Sequence, residues 1–206
     1  GDPADRWASG GHDKTDKGMY HGGDIVGLQK RIDYLKGMGI SAIWLTPILK
    51  NKTILGDSSA YHGYWTIDFT QLDPHLGTND EMKAFIKAAH TNGIKVYFDI
   101  IVNHTADVIK YKECHKPDGP FLDGTQSCEY KTRAQVAAGN AYTPFVPAGQ
   151  EKMKVPAWLN DPRYYHNQGD STWSGENSVY GDFIGLDDVD TDNPEVVAGM
   201  IDIYKN

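Results

Sequence analysis

Ile94-Lys-Val-Tyr-Phe-Asp-Ile-Ile-Val-Asn-His-Thr-Ala-Asp107 runs from an apolar, β-rich stretch straight into a cluster of polar groups. Val96, Phe98 and Ile100 alternate with Tyr97, Asp99 and Ile101, and both sets are mostly apolar. A strand buried on both faces of a parallel sheet reads this way. Asp99 breaks the pattern, because an unpaired carboxylate is costly to bury and must be paired, hydrogen-bonded or functional. Asn103 and His104 fall at the carboxyl end of the strand, where parallel α/β folds place their ligand sites. Asp99 and Asn103 share a strand face by parity, and a bend after Asn103 would turn His104 into the same pocket. A satisfied core aspartate followed by a strand-end turn accounts for the spacing equally well.

Outward from this strand the pattern repeats. Between Asp24 and Met38, Ile25, Leu28, Ile32, Leu35 and Met38 recur at helical spacing, and Gly37 and Gly39 end the run. Ser41 to Thr46 is a short strand stopped by Pro47. Residues 50 to 78 form a long loop, and loops of that length in a compact domain are usually functional. Asn79 or Asp80 caps a second helix with Met82, Phe85, Ile86 and Ala89 on its apolar stripe, and Asn92-Gly93 ends it. The order helix, strand, loop, helix, strand describes two successive β/α units of a parallel sheet, an α/β fold.

After His104 the periodicity lapses for about 80 residues rich in Gly, Pro, Asn and Asp, the texture of an inserted subdomain. Patterning returns at Phe183-Ile-Gly-Leu-Asp-Asp-Val-Asp190. Asp192 or Asn193 then caps a last helix that opens on Pro194 and carries Val196, Val197, Met200, Ile201, Ile203 and Tyr204. Cys114 and Cys128 lie in the irregular segment. They are either two free thiols or a disulfide, and their even number and loop setting favour the bridge, worth about 3 kcal/mol in the chain-entropy account.

Composition narrows the function. At 206 residues and 39% hydrophobic, the chain can bury a sizeable core, and its net charge of −8 with no basic run argues against nucleic-acid binding. No apolar run is long enough to span a membrane. Twelve Tyr and five Trp, many beside Asp, Asn, His and Gly, suit a surface that stacks on flat apolar faces and hydrogen-bonds hydroxyls, as sugar recognition requires. The densest such cluster is Ala60-Tyr-His-Gly-Tyr-Trp65, which reads as a stacking platform more readily than as core. His166 and Trp173 offer the same chemistry in a Gly/Asn/Ser-rich stretch. The acidic run Asp187 to Asp192 offers hard oxygen ligands of the kind calcium takes. As an EF-hand loop counted from Asp188 it fails, with Asn193 for the glycine and Gly199 for the last glutamate. A solvated turn and helix cap explain Asp190 and Asp192, leaving Asp188 as the better ligand. Nucleophile elbows, zinc-protease helices, Cys-x-x-Cys pairs and phosphate loops are absent from the sequence.

These residues resemble a known family. Asp99-Ile-Ile-Val-Asn-His104 closely resembles the first signature region of the α-amylase family, glycoside hydrolase family 13. Gly22-Gly-Asp24, Ala42-Ile-Trp-Leu-Thr-Pro47, Tyr61-His-Gly-Tyr-Trp65 and Asp73-Pro-His-Leu-Gly-Thr78 resemble the same family in the same order. The resemblance implies a partial (β/α)8 barrel holding strands two and three, in residues 1–104. An inserted domain B would occupy 105–182, and the chain would return to the barrel over 183–206.

It further implies that Tyr64 stacks on the sugar at the cleavage subsite, flanked by His62 and Trp65, that His104 hydrogen-bonds that sugar, and that Asp99 is a buried support. Asn103, Asp188 and the Val179 carbonyl would hold Ca2+ between barrel and domain B. Gly1-Asp-Pro-Ala-Asp5, with Asp2, Asp5, Gly22 and Asp24, resembles a second calcium loop. The family's nucleophile and acid/base stand on strands four and five, which this sequence does not reach. The expectation is therefore a fragment of a secreted, retaining enzyme acting on starch or maltooligosaccharide, inactive alone and completed by the rest of its barrel. A fragment of a cyclodextrin glycosyltransferase or neopullulanase-like enzyme is the alternative within the family, and a non-catalytic glucan-binding module the alternative outside it.

Overall fold

The computed structural model describes residues 10–205, so Asp2 and Asp5 lie outside the described residues. The chain divides into two compact units, the first ending at Ile100 and the second beginning at Ile101.

The first unit contains α1 (Ile25–Gln29), α2 (Ile32–Gly37), β1 (Ala42–Leu45), β2 (Leu49–Asn51), β3 (Ile54–Leu55), β4 (Ser58–Ser59), β5 (Thr66–Leu72), α3 (Asn79–Thr91) and β6 (Lys95–Phe98). β1 and β6 pair in parallel, with Ala42 opposite Lys95 and Leu45 opposite Phe98, so α3 is the crossover of a β/α unit. Its buried face, Met82, Phe85 and Ala89, packs with Ile25, Ile32, Leu72 and Ile94 into one core cluster. Among the described residues this is the only parallel strand pair, and no barrel closes.

Several expectations need correction here. The single helix over 24–38 is two helices, because the backbone tightens at Arg31, whose N–H bonds to Leu28 O at 2.9 Å instead of the fourth residue back. Met38, expected on the apolar stripe, is exposed. The loop over 50–78 holds three strands, and β5 pairs antiparallel with β2 through a shifting register that breaks simple alternation. Thr78, not Asn79 or Asp80, caps α3 in a reciprocal capping box with Glu81. Asn79 is used elsewhere, accepting from Leu72 N and donating to Thr70 O. β6 is not buried on both faces: Tyr97 and Phe98 are exposed, having only β1 beside them in the sheet.

The second unit contains β7 (Lys110–Tyr111), α4 (Arg133–Ala137), β8 (Pro144–Phe145), α5 (Asn177–Tyr180) and α6 (Pro194–Lys205), joined by long irregular segments. The Cys114–Cys128 disulfide, with a Cα separation of 5.8 Å, ties the loop after β7. Residues 187–190 form the axis of the unit. Thr105 N bonds to Asp187 O and Val189 N to Asn103 O on one side, while His166 N bonds to Asp188 O and Asp190 N to Tyr164 O on the other. Beneath this axis lies a buried ion pair, with the Lys154 ammonium 2.5 Å from Asp187 and hydrogen-bonded to the Tyr165 hydroxyl. Burial alone would pull the lysine pKa down, but the Asp187 carboxylate outweighs it and holds it raised. Asn193 accepts from Glu195 N at the start of α6, whose Val196 and Met200 are buried while Val197 and Ile201 are exposed. A Cβ at Gly199 would meet the Trp158 ring at 2.6 Å, so α6 rests on that indole at a distance only glycine allows.

Candidate functional site

The candidate residues fall in both units, and each group is described within its own. In the first, the turn 61–64 is forced by Gly63. Its φ is +88°, and a Cβ there would stand 2.0 Å from the Pro47 carbonyl oxygen. The turn leaves Tyr61 exposed and His62, Tyr64 and Trp65 half-buried. His62 Nδ1 accepts from Tyr64 N at 3.0 Å, which leaves Nε2 to carry the ring proton. Burial lowers the His62 pKa, favouring that neutral form. The Trp65 ring meets His62 edge-on at 4.7 Å, and the Tyr64 ring lies 5.8 Å from it. Asn51 fixes the backbone by accepting from Trp65 N at 2.6 Å.

Tyr64 donates its hydroxyl proton to Asp99 at 3.1 Å, and this bond is the main reason its pKa is raised. Asp99 is half-buried instead of fully buried as expected, because the strand carrying it is open; its partner is the tyrosine. Asp24 is exposed and caps α1, accepting from Gly27 N at 2.6 Å. Gly22 lines a cleft of about 320 Å³ with His12, Lys17, Tyr20, His21 and His75.

In the second unit the short ladder described above brings Asn103 and Asp188 together. Asn103 Nδ2 donates to Asp188 Oδ1 at 3.0 Å, and His166 Nδ1 lies 2.5 Å from the other oxygen. Asp188 is buried, and burial raises its pKa. A carboxylate so placed is stabilised by a cation, and a half-turn of the Asn103 amide would offer a second oxygen, so this pair fits calcium. Val179 lies in α5 and is exposed.

His104 is buried and bridges backbone-to-backbone with Asp188. Phe183 stacks on its ring at 5.4 Å, and Trp173 meets Phe183 edge-on at 4.4 Å. Trp173 is exposed and sits at φ +64°, beside an exposed Ile184 at φ +52°. Left-handed backbone at bulky residues is strained and tends to mark ligand-facing turns. Phe183 and the Lys154–Asp187 pair escaped sequence reading. Lys154 sits in an ordinary polar run, and its partner is 33 positions away, so no local spacing announces it.

Against known proteins, a family model described as alpha amylase, catalytic domain, matches residues 4–206. The chain belongs to the α-amylase family. An α-amylase of Streptomyces lividans is 49% identical over 95% of this chain and 23% of its own length. A periplasmic α-amylase of Escherichia coli is 30% identical over 94% of the chain and 28% of itself, and a cyclomaltodextrin glucanotransferase of Geobacillus stearothermophilus 29% over 93% and 24%. The solved structure of an Anoxybacillus α-amylase matches at a TM-score of 0.62 and 30% identity, covering all of this chain and 34% of that one. The α-amylase-family chain thus spans about a quarter to a third of the length of these relatives.

Proposed function

We propose that this chain supplies the sugar-binding and metal-holding part of a secreted, retaining α-glucan hydrolase that cleaves α-1,4-glucosidic bonds in starch or maltooligosaccharides. The observation that carries the reading is Tyr64, set beside His62 and Trp65 by the Gly63 turn and braced by Asp99. A held aromatic face with hydrogen-bonding edges suits a glucosyl ring. The 49% identity to the Streptomyces lividans α-amylase supports the substrate class. In this reading Tyr64 stacks on the sugar, His62 and Trp65 flank it, His104 hydrogen-bonds a sugar hydroxyl, and Trp173 with Phe183 offers a further stacking face.

Asn103 and Asp188 hold Ca2+, with the Val179 carbonyl as a third donor. Bound calcium would supply the counter-charge for buried Asp188 and cross-link segments 85 residues apart in sequence. Retaining hydrolysis needs two carboxyl groups about 5 to 5.5 Å apart. No residue of this chain matches the family's nucleophile or acid, so the chain binds glucan without cleaving it. The disulfide and the periplasmic relative support an extracytoplasmic site of action.

Titration of the 206-residue chain with maltohexaose, read by tryptophan fluorescence and by reducing-sugar release, tests this. Saturable binding that Tyr64→Ala weakens at least about tenfold, with an unchanged melt and no sugar release, is the expected result. No binding by the folded chain would overturn the sugar-site assignment, and calcium-dependent release of reducing ends would overturn the division of labour. The transferase relative favours a second reading, a part of a cyclodextrin-forming enzyme. Cyclic instead of linear products from the full-length protein would select it.

A further inference from the structure

One cluster in the second unit is explained neither by sugar binding nor by the Asn103–Asp188 pair. A nitrogen of His166 and carboxylate oxygens of Asp190 and Asp192 all lie within 4.8 Å of one another. The His166 side chain is only 9% exposed, and its Nδ1 faces an oxygen of Asp188 at 2.5 Å. An ionised carboxylate can only accept, so Nδ1 carries the proton and, in the neutral ring, Nε2 presents its lone pair. Nε2 is buried and makes no hydrogen bond, although Asp190 Oδ1 is 3.2 Å away, because that oxygen lies outside hydrogen-bonding geometry. Tyr180 packs edge-on against the imidazole at 5.0 Å and restrains its rotation.

A buried nitrogen lone pair facing two carboxylates, without a proton well placed between them, is electrostatically unfavourable until a cation sits among them. Carboxylate, histidine and metal in that order is also the arrangement by which proteins orient a metal-binding imidazole. We propose that His166 Nε2, Asp190 and Asp192 form a site for a divalent transition metal of the zinc class, with Asp188 as the residue that orients the histidine. One imidazole nitrogen and two carboxylates, with water completing the shell, match zinc and cobalt better than calcium, which takes oxygen ligands. The turn supports the set: Asp192 N bonds to Asp190 Oδ1 at 3.2 Å, and Asn193 N to Asp190 O at 3.0 Å, holding the two acids on one bend.

Cobalt(II) is the probe, added to the full 206-residue chain in excess calcium. The expected result is one equivalent bound, with visible bands of a nitrogen-ligated, low-coordinate ion that zinc abolishes and calcium does not. Asp192→Asn, at an exposed position, should weaken cobalt binding at least about tenfold while leaving the melt of the metal-free protein unchanged. His166→Gln should remove the nitrogen-ligand bands. Absence of those bands, their persistence in Asp192→Asn, or displacement of cobalt by calcium would each overturn the proposal.

Discussion

Gly63 shows at the scale of one residue how the 61–64 turn is made. The position combines φ +88° with a Cβ position 2.0 Å from the Pro47 carbonyl oxygen, so alanine there is strained and also collides with backbone. Gly93, at φ +75° with nothing within 4 Å, supplies the contrast. Gly93→Ala should cost about 1 to 2 kcal/mol, the left-handed strain alone, and Gly63→Ala clearly more, measured by urea unfolding. Equal losses at the two positions would show that the Pro47 approach does not constrain the turn. The residues of this turn were legible in sequence because aromatics crowd around a glycine without helical or strand period. The tyrosine's partner was not, since Asp99 lies 35 positions away and its burial depends on what covers the strand.

At the scale of elements, α3 and the short parallel strands β1 and β6 were readable, and the short antiparallel strands were not. α3 announces itself through Met82, Phe85 and Ala89, whereas β2 and β5 are paired through a register shift that no local alternation encodes. The 187–190 axis was visible as an acidic run with Asp188 as its ligand candidate, but the Lys154 partner of Asp187, 33 positions away in sequence, was not. Lys154→Met would leave Asp187 buried without its cation, and the expected loss is about 3 to 5 kcal/mol, read by denaturant midpoint.

Asp182 makes the pH behaviour of the same region testable. It accepts from the Tyr111 hydroxyl at 2.5 Å and from Asp188 N at 3.1 Å. Burial, with Asp187 adding to it, raises its pKa well above 3.8. The native state therefore holds this proton more tightly than the unfolded chain does, and stability falls as pH rises from 3.8 to the raised native value. Asp182→Asn, whose amide oxygen can accept from Asp188 N while its nitrogen donates to the Tyr111 hydroxyl, should flatten that slope in urea unfolding above about pH 4. An unchanged slope would assign the titration to another carboxyl.

For the whole molecule, the apolar surface decides how the chain behaves alone. Trp44 is 74% exposed on β1, Tyr97 53% on β6, and Ile100 52% just beyond it, while Ile201 on α6 is 56% exposed. A two-stranded parallel sheet is rare in isolation because such sheets need cover on both faces, and open strands with apolar side chains template association. The chain covers 23% of the Streptomyces lividans enzyme and 34% of the Anoxybacillus one, so these relatives are several times its length. The 206-residue chain alone should bind an apolar dye and self-associate with rising concentration, and Trp44→Lys with Tyr97→Lys should reduce both. Sedimentation equilibrium tests this: a monomer at every concentration, with no dye binding, would mean that these side chains are tolerated in water without cover.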